Sequence, residues 1–361
     1  MKKISLILLL ISLSLVLSAC LSFRRTGDVG VSGGIFVSRD QGSTWKNMSF
    51  SPSASGEPVS LTHLDVNEIV VDPSDYNALY MATYGRGLFS TYNLNQGWQK
   101  VENLPSETIS SVAVNPDFKC TIYAAVANRL YRSVDCARTW EQTYYDNNPE
   151  VLVRAVVVDH YNSDNVYIAT SRGEIIKSID KGNSWRTIHR FENGVSHLKM
   201  SPLDSRLLFA ATNRNEFYSF NSPSPRTSNL EENFAVSNMN NLSEVLENMR
   251  RTNIKEINIC SKEGVIILAT EQKLLRSPDN GVTWEDIDLI PSESDAAIKA
   301  VAINPQNSQQ LYYVTDTTFY RSLDGGVSWN TRRLPTQRIG SSLLVSPADP
   351  NVVYLGVRKE N

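Results

Sequence analysis

The sequence has few of the residues that hold metal ions or transfer protons near neutral pH. Four histidines and four cysteines occur among 361 residues. The histidines are His63, His160, His189 and His197, and they have neither metal-site spacing nor a paired nucleophile. The sequence therefore predicts no metal site and no cofactor, and it offers no obvious catalytic residue.

The sequence also lacks a strong excess of charge and a long uninterrupted hydrophobic run. Its formal net charge is −3, from 35 basic and 38 acidic residues. Nucleic-acid-binding domains usually carry a basic patch, so no nucleic-acid partner is expected. The most apolar stretch, residues 4–17, is broken by serines and is shorter than the roughly 20 residues that span a bilayer.

Tryptophan is scarce too, with six copies, but every copy occupies the last position of a similar octet. Successive octets lie about 40–55 residues apart except for one interval of about twice that length, a period typical of propeller blades. Residues 218–221 stand where the missing copy is expected. The octets span residues 38–45, 91–98, 133–140, 178–185, 277–284 and 322–329.

The octet is predicted to form a hairpin turn. Its Asp or Asn accepts backbone N–H bonds, its Gly supplies a positive φ, and its Trp buries a large apolar area in the next strand. Because the pattern recurs throughout the repeat, we expect a structural role for it, and not metal binding or catalysis. The residues are Asp40 and Trp45, Asn93 and Trp98, Asp135 and Trp140, Asp180 and Trp185, Asp279 and Trp284, and Asp324 and Trp329.

The pattern Ser-x-Asp-x-Gly-x-Thr-Trp resembles the Asp-box, or bacterial neuraminidase repeat. Proteins with this repeat include sialidases, the sortilin ectodomain, two-propeller xyloglucan hydrolases and photosystem II assembly factors. The resemblance covers nearly all of the chain after residue 30 and implies a β-propeller. It also implies that the octets lie away from the ligand-binding face. The family has many functions, so the resemblance is specific for the fold alone.

Seven apolar segments follow the same order in each repeat and predict the first strands of seven blades. They lie at residues 69–71, 112–114, 156–158, 198–200, 257–259, 301–303 and 343–345. The repeat starts with a third strand, near residues 35–37, and ends with a first and a second strand. We therefore predict an all-β, seven-bladed propeller of four-stranded antiparallel blades, whose N-terminal hairpin pairs with the C-terminal strands to close the ring.

The fifth unit departs from the repeat over residues 221–253. A Ser- and Pro-rich loop follows residue 221, residues 233–237 are a candidate displaced fourth strand, and residues 241–251 have the apolar spacing of a short helix. Two interpretations stay open: growth of a tolerated loop, or an arm that docks a partner.

The N-terminus is predicted to be an export signal. Lys2 and Lys3 precede the apolar stretch, which ends in Leu17-Ser18-Ala19-Cys20, a sequence similar to a bacterial lipobox. This predicts a lipoprotein signal peptide over 1–20, lipid on Cys20, a tether over 21–29 and the propeller over 30–361. The protein is then expected to be exported and anchored to a membrane. A secretory signal with an incidental cysteine is the alternative.

The remaining cysteines suggest one disulfide. Cys120 lies between the first two strands of its unit and Cys136 lies in its octet, so both turns fall on the same side of the ring. A bridge between them is feasible in an oxidising compartment, and two buried thiols are the alternative. Cys260 has no obvious partner and is expected in the core.

The turns between second and third strands carry a cation in six of the seven units. These residues are Arg86, Arg129, Arg172, Arg214, Lys273 and, near residue 360, Arg358 with Lys359 as the alternative. All six turns are expected on the face opposite the octets, around the central channel, where they would attract an anionic partner. A carboxylated glycan, a lipid phosphate and an acidic protein segment all fit, and so does the plain interpretation that polar turns often hold Arg and Lys.

Evidence for an enzyme is weak. A sialidase would carry an Arg-Ile-Pro motif before its first octet, and the nearest string, Phe23-Arg24-Arg25-Thr26, lacks both Ile and Pro. The sequence favours a non-catalytic, lipid-anchored scaffold that binds a protein, as single-propeller relatives do. The alternative is a glycan-binding or glycoside-hydrolysing surface protein, for which a carboxylate pair beside arginines is the expected sign. The oligomeric state stays open.

Overall fold

The computed structural model describes residues 32–221, 235–238, 253–290 and 297–360. In this part of the chain the structure is almost entirely β, with one short 3-10 helix at Leu94–Gln96. No helix among these residues is long and apolar enough to cross a membrane. The predicted signal peptide, Cys20 and the tether lie outside the described residues.

The strands form seven four-stranded antiparallel sheets, which are the blades of a propeller. Blade 1 contains β1 (Gly34–Ser38) and β2 (Lys46–Asn47), and a hairpin of β3 (Phe50–Ser51) and β4 (Val59–Ser60) leads to blade 2. Blade 2 contains β5 (Val66–Asp72), β6 (Asp75–Thr83), β7 (Leu88–Thr91) and β8 (Gln99–Lys100). Blade 3 contains β9 (Ile109–Val114), β10 (Ile122–Val126), β11 (Arg129–Ser133) and β12 (Glu141–Tyr145).

Blade 4 contains β13 (Val153–Val158), β14 (Val166–Thr170), β15 (Glu174–Ser178) and β16 (Arg186–Arg190). Blade 5 contains β17 (Val195–Met200), β18 (Leu207–Thr212), β19 (Phe217–Asn221) and β20 (Ala235–Asn238). Blade 6 contains β21 (Ile254–Ile259), β22 (Ile266–Thr270), β23 (Leu274–Ser277) and β24 (Glu285–Ile287). Blade 7 contains β25 (Ala300–Asn304), β26 (Asn307–Val314), β27 (Thr318–Ser322) and β28 (Asn330–Arg333), and β29 (Ile339–Val345) and β30 (Val353–Arg358) complete blade 1. The predicted fold class is therefore confirmed.

The ring closes as predicted, by pairing the two ends of the propeller within blade 1. Strand β1 pairs antiparallel with β30, from Gly34 opposite Val357 to Ser38 opposite Val353. A buried side chain reinforces the closure, because Arg338 donates to Asp65 at 2.8 Å. This pairing leaves neither β1 nor β30 as a free sheet edge.

Hydrophobic cores fill the spaces between neighbouring blades. One core joins Phe209 and Phe217 of blade 5 to Ile266 and Leu268 of blade 6, and all four are essentially inaccessible to solvent. Burying each such side chain is worth about 1.5–3 kcal/mol. The second strands β10, β14 and β22 are buried along their whole length because they pack on both faces, which explains their continuous apolar runs.

The octets form the turns between third and fourth strands, and their acidic side chains are satisfied locally. Asp40 accepts hydrogen bonds from the Thr44 backbone N–H at 2.8 Å and the Thr44 hydroxyl at 2.7 Å, and Ser38 donates to it at 2.7 Å. The same set of bonds recurs at Asp135, Asp180, Asp279 and Asp324. Hydrogen bonds from the Thr139 hydroxyl and backbone lower the pKa of Asp135 to about 2, so it is ionised near neutral pH.

The tryptophans of the octets pack against the preceding blade. Trp45 meets Phe319 edge-on, with ring centroids 5.2 Å apart. Trp185 meets Tyr144 in the same way and donates from Nε1 to the Thr143 carbonyl at 2.9 Å. Each octet therefore joins two neighbouring blades as well as two strands of its own blade.

The described part of the chain contains three of the four cysteines and the fourth strand of the fifth unit. The structure joins Cys120 and Cys136 by a disulfide, and Cys260 is free and buried. The fourth strand of blade 5, Ala235–Asn238, pairs with β19 in the region where a displaced strand was expected. The predicted helix at 241–251 lies outside the described residues.

Candidate functional site

Strand topology places all second-to-third-strand turns on one side of the ring, opposite the octets. We call this side the non-octet face. Each first strand ends at the octet face, and each second strand runs back to the opposite face. The turns between second and third strands and the connections between blades therefore lie on that opposite face. The six predicted cations are all in or directly beside these turns. They therefore share one face, as expected, but their surroundings differ.

Two of the six cations are exposed and have no local counter-charge. Arg86 lies in the turn between β6 and β7, and Arg214 lies in the turn between β18 and β19. Both are exposed. Among the described residues, neither guanidinium takes part in an ion pair or side-chain hydrogen bond. These two arginines are therefore available to an anionic partner.

Two further cations are neutralised inside the protein. Arg172 donates to Asp146 at 2.7 Å and to Glu174 at 2.8 Å. Lys273 forms a short ion pair with Asp286. Their charge is already matched, so they add less to the positive potential of the face than the sequence suggested.

The last two cations stack on tyrosines. The Arg358 guanidinium lies 5.5 Å from the centre of the Tyr84 ring, and that of Arg129 lies 6.0 Å from the centre of the Tyr145 ring. Both tyrosines are unusually exposed for large side chains, at 40% and 47%. Stacking of this kind orients the guanidinium without removing its charge.

A central channel of about 840 Å³ runs between the first strands. Of the six predicted cations only Arg358 lines it, so the others lie further from the axis than the sequence predicted. The channel is lined instead by four cations that sequence reasoning missed: Arg154, Lys199, Lys255 and Lys299. Arg154, Lys255 and Lys299 each follow an apolar residue at the start of a first-strand segment, and Lys199 interrupts such a segment. These breaks in apolar runs were the available signal.

Two of these inner cations are paired. Lys255 bonds to Glu271 at 2.7 Å and Lys299 bonds to Asp316 at 2.9 Å. Arg154 is exposed and has no ion-pair partner in the part of the chain that the structure describes. Among the described residues, the channel-lining cations that form no ion pair are therefore Arg154, Lys199 and Arg358.

Deeper in the channel, two glutamates and a histidine have perturbed pKa values. Burial raises the pKa of Glu256 to about 7 and also raises that of Glu68, although the charge of Lys199 opposes both shifts. Burial and the nearby charge of Lys199 lower the pKa of His197 to about 4, so the imidazole is neutral near neutral pH. Raised carboxyl pKa values are a frequent property of catalytic acids, and structural networks produce them too.

The carboxylates of Glu68 and Glu256 accept backbone hydrogen bonds from neighbouring blades. Glu68 accepts the backbone N–H of Val112 at 3.2 Å, and Glu256 accepts that of Val301 at 3.0 Å. In both cases the donor belongs to the first strand of the next blade, whose inner edge has no strand to pair with. The hydroxyl of Ser342 does the same for the N–H of Ile69, at 3.2 Å. The channel glutamates thus satisfy buried backbone groups between blades.

A carboxylate pair also lies on the non-octet face. Asp146 and Glu174 bond to the same nitrogen of Arg172, so they are close together, and Arg190 donates to Glu174 at 2.5 Å. Burial tends to raise the pKa of Glu174, but hydrogen bonds from Arg172 and Arg190 outweigh burial and lower it. A carboxylate held ionised in this way is poorly suited to act as a general acid.

No group of three or more His, Cys, Asp or Glu side chains that would suit a metal ion occurs among the residues that the structure describes. The octet aspartates do not converge, because each bonds within its own turn.

Comparison with known proteins shows the fold alone. No protein-family model and no curated protein matches the sequence. The structure is similar to the GH74 xyloglucanase of Xanthomonas campestris, with a TM-score of 0.64 and 16% identity over 87% of this chain and 52% of that one. It is also similar to the GH74 enzyme of Niastella koreensis, with a TM-score of 0.63 and 14% identity over 86% and 53%. This chain therefore spans about half the length of these two proteins.

A third similar structure is YCF48 bound to D1 peptide, with a TM-score of 0.58 and 14% identity over 82% of this chain and 94% of that one. YCF48 from Cyanidioschyzon merolae gives a TM-score of 0.57 at 14% identity, over 82% and 96%. The similar structures thus include a peptide-bound propeller and glycoside hydrolases, which agrees with a β-propeller and does not select one activity.

Proposed function

We propose that this protein is a non-catalytic propeller that binds an acidic segment of a partner protein on its non-octet face. One observation carries the proposal: Arg86 and Arg214 project from that face with no counter-charge among the described residues, and Arg129 and Arg358 stack on exposed tyrosines there. On the octet face, Arg132, Arg276 and Arg321 occupy equivalent positions directly before their octets, but each donates to a backbone carbonyl of the next blade. This asymmetry favours an anionic partner on one side of the ring.

The physical argument concerns how such a surface recognises a ligand. Exposed cations attract a carboxylate-rich segment at long range and speed its association. The aromatic rings beside two of the arginines add apolar contact area that a peptide can cover. Because the turns are held by a closed ring of packed blades, little ordering entropy is lost on binding.

The peptide-bound YCF48 structure supports this proposal by analogy only. Its peptide shows that a propeller of similar architecture can present a peptide-binding surface. The low identity carries no information about which residues make the contact.

We further propose that the protein acts outside the cytoplasm, anchored to a membrane through lipid on Cys20. The support is the sequence Leu17-Ser18-Ala19-Cys20 after a charged and apolar leader. An anchor of this kind would confine the propeller to a layer near the membrane surface and raise its effective concentration for partners there.

Site-specific photocrosslinking in the native membrane tests the binding proposal. A photoreactive amino acid replaces Asn213, beside Arg214 on the non-octet face, or Val327, which is 87% exposed on the octet face. We expect protein cross-links from position 213 that weaken with added salt, and none from position 327. Equal cross-linking of protein at both positions, or cross-linking that does not change with salt concentration, would contradict the proposal.

A second candidate function is glycoside hydrolysis, and the Asp146–Glu174 pair is the observation that favours it. The two carboxylates bond to one guanidinium nitrogen, so their spacing is compatible with the roughly 5–5.5 Å of retaining enzymes. The lowered pKa of Glu174 and its 2% exposure oppose this function. Release of reducing sugar from xyloglucan or a sialoside, abolished by Glu174→Gln in a protein that stays folded, would establish it over the scaffold.

A further inference from the structure

A second cleft lies on the opposite side of blade 2 from the cationic turns. Its volume is about 440 Å³, and it forms where the turn at Pro52 approaches the octet of blade 2. Pockets of about 300–1,000 Å³ are typical of small-ligand sites. The proposed protein-binding function does not use this cleft.

The octet at this cleft is the one that departs from the repeat. Asn93 replaces the aspartate, and the following residues form the short 3-10 helix Leu94–Gln96. In the other octets both carboxylate oxygens are used within the turn, whereas here the Asn93 side chain accepts one bond, from the Asn95 N–H at 3.1 Å. The local hydrogen bonding is therefore incomplete at this position alone among the six tryptophan octets.

The unused groups are neutral amides around an aromatic ring. The amide NH₂ of Asn93 and the side-chain amides of Gln96 and Gln99 line the cleft, and none of them has a hydrogen-bond partner within the described residues. The Tyr92 ring lines it too and is 50% exposed. Each primary amide offers both donors and an acceptor.

The walls of the cleft are fixed in advance. The Trp98 N–H donates to the Phe50 carbonyl at 2.8 Å, and the Trp98 indole N–H donates to the Met48 carbonyl at 3.0 Å. Gly97 has a φ of 85°, and a Cβ there would lie 2.7 Å from the Phe50 oxygen. The chain segment that carries Pro52 is thus held against the octet, which reduces the ordering that a ligand would have to impose.

We infer that this cleft binds a neutral saccharide. None of the described residues that line it is charged, so it has nothing to neutralise a phosphate, a carboxylate or an ammonium group. Amides that both donate and accept match the hydroxyl groups of a sugar, and an exposed tyrosine ring matches the apolar face of a pyranose. A hydrophobic ligand would leave the three amides desolvated and unpaired, which is unfavourable.

Saturation-transfer NMR on the full-length protein tests the inference. The probes are the methyl glycosides of glucose, galactose, mannose and N-acetylglucosamine, with sialic acid as the charged comparison, each at about 10 mM to reveal weak binding. We expect signals from at least one neutral glycoside and none from sialic acid. Silence from all four neutral glycosides, or equal binding of sialic acid, would refute the inference.

Variants assign the signal to the cleft. Tyr92→Ala should weaken binding at least about tenfold, Gln99→Ala should weaken it severalfold, and Tyr92→Phe should retain it, because the ring supplies the contact. Tyr161→Ala is the matched control, since Tyr161 is 57% exposed in the turn between β13 and β14, and it should leave saccharide binding unchanged. If Tyr92→Ala and Gln99→Ala both bind as well as the wild type, the site is elsewhere and the inference fails.

The same variants separate this site from the protein-binding face. Tyr92→Ala should leave the salt-sensitive cross-links from position 213 intact. Displacement of the saccharide by an uncharged peptide would show that the cleft is a protein contact, and it would count against a saccharide site.

Discussion

The ion-pair network around Glu174 tests which of the cationic turns stabilise the fold and which leave their arginine available to a partner. Glu174 is 2% exposed and accepts hydrogen bonds from Arg172 at 2.8 and 3.0 Å and from Arg190 at 2.5 Å. The perturbation is Arg172→Ala, which removes two of these bonds and also the partner of Asp146. We expect a measurable loss of stability from a substitution in an exposed turn.

The size of the effect follows from burial. Removing one partner of a fully buried ion pair costs about 3–5 kcal/mol. Arg172 is 42% exposed and Arg190 remains in place, so water and the second arginine replace part of the interaction. The expected loss is that of a hydrogen bond to a charged group, about 1.5–3 kcal/mol. Arg86→Ala is the control, since exposed substitutions without such contacts change stability by about 0.5 kcal/mol or less.

Urea unfolding at several pH values is the assay. The folded-state pKa of Glu174 is lowered, so the stability that its charge contributes is fully present above the unfolded pKa of about 4.3. It is lost as the pH falls through the folded-state pKa. The difference between wild type and Arg172→Ala should therefore be largest at neutral pH and shrink in acid.

A double variant isolates the cause. Glu174→Gln in the Arg172→Ala background removes a buried charge that has lost one of its two arginine partners, and it should recover part of the lost stability. The reasoning is refuted if Arg172→Ala is as stable as Arg86→Ala at neutral pH, or if the added Glu174→Gln brings no recovery.

Three further outcomes are expected. Replacing Arg86 and Arg214 together by Ala should leave the free energy of unfolding within about 1 kcal/mol of wild type and reduce salt-sensitive cross-linking from position 213. Unchanged cross-linking would show that these two arginines do not contribute to binding. Cys20→Ala should abolish metabolic labelling by a fatty acid and release the protein from the membrane, whereas persistent labelling would place the lipid elsewhere. Non-reducing peptide mapping of protein produced in an oxidising compartment should find Cys120 linked to Cys136, and Cys120→Ser should lower the free energy of unfolding by roughly 3 kcal/mol for a loop with a sequence separation of 16. Alkylation of both thiols without reduction would contradict the bridge.

The blade count was predictable because each blade repeats local signals. The octet turn fixes its own geometry through short-range bonds, as at Asp40 and Thr44, and the apolar runs mark strands that pack on both faces. Ring closure was predictable because the first unit has only a third and a fourth strand, whereas the last unit has only a first and a second strand. These features depend on neighbours close in sequence or on the repeat itself.

The charge state of the cationic turns was not predictable from the same signals. Arg172 and Arg86 occupy equivalent turns, yet Arg172 pairs with Glu174 of its own hairpin and also with Asp146, in the preceding connection between blades and 26 residues away. The identity of such a partner depends on the exact path of a loop, which a repeat pattern does not encode. For the same reason the channel cation Arg154 was overlooked, since its place at the axis follows from the assembled ring.

Closure of the ring delays the completion of folding, because it joins strands from opposite ends of the propeller. Strand β1 is apolar and fully buried, and its partner β30 follows more than 300 residues later in the chain. At a synthesis rate of about 5–20 residues per second, the two strands are separated by at least about 15 s of translation. Until they meet, β1 is an unpaired apolar edge of the kind that promotes aggregation. We therefore expect propeller assembly to be slow and limited by a contact of very high sequence separation, and to depend on keeping the early chain unfolded or shielded until its last strand arrives.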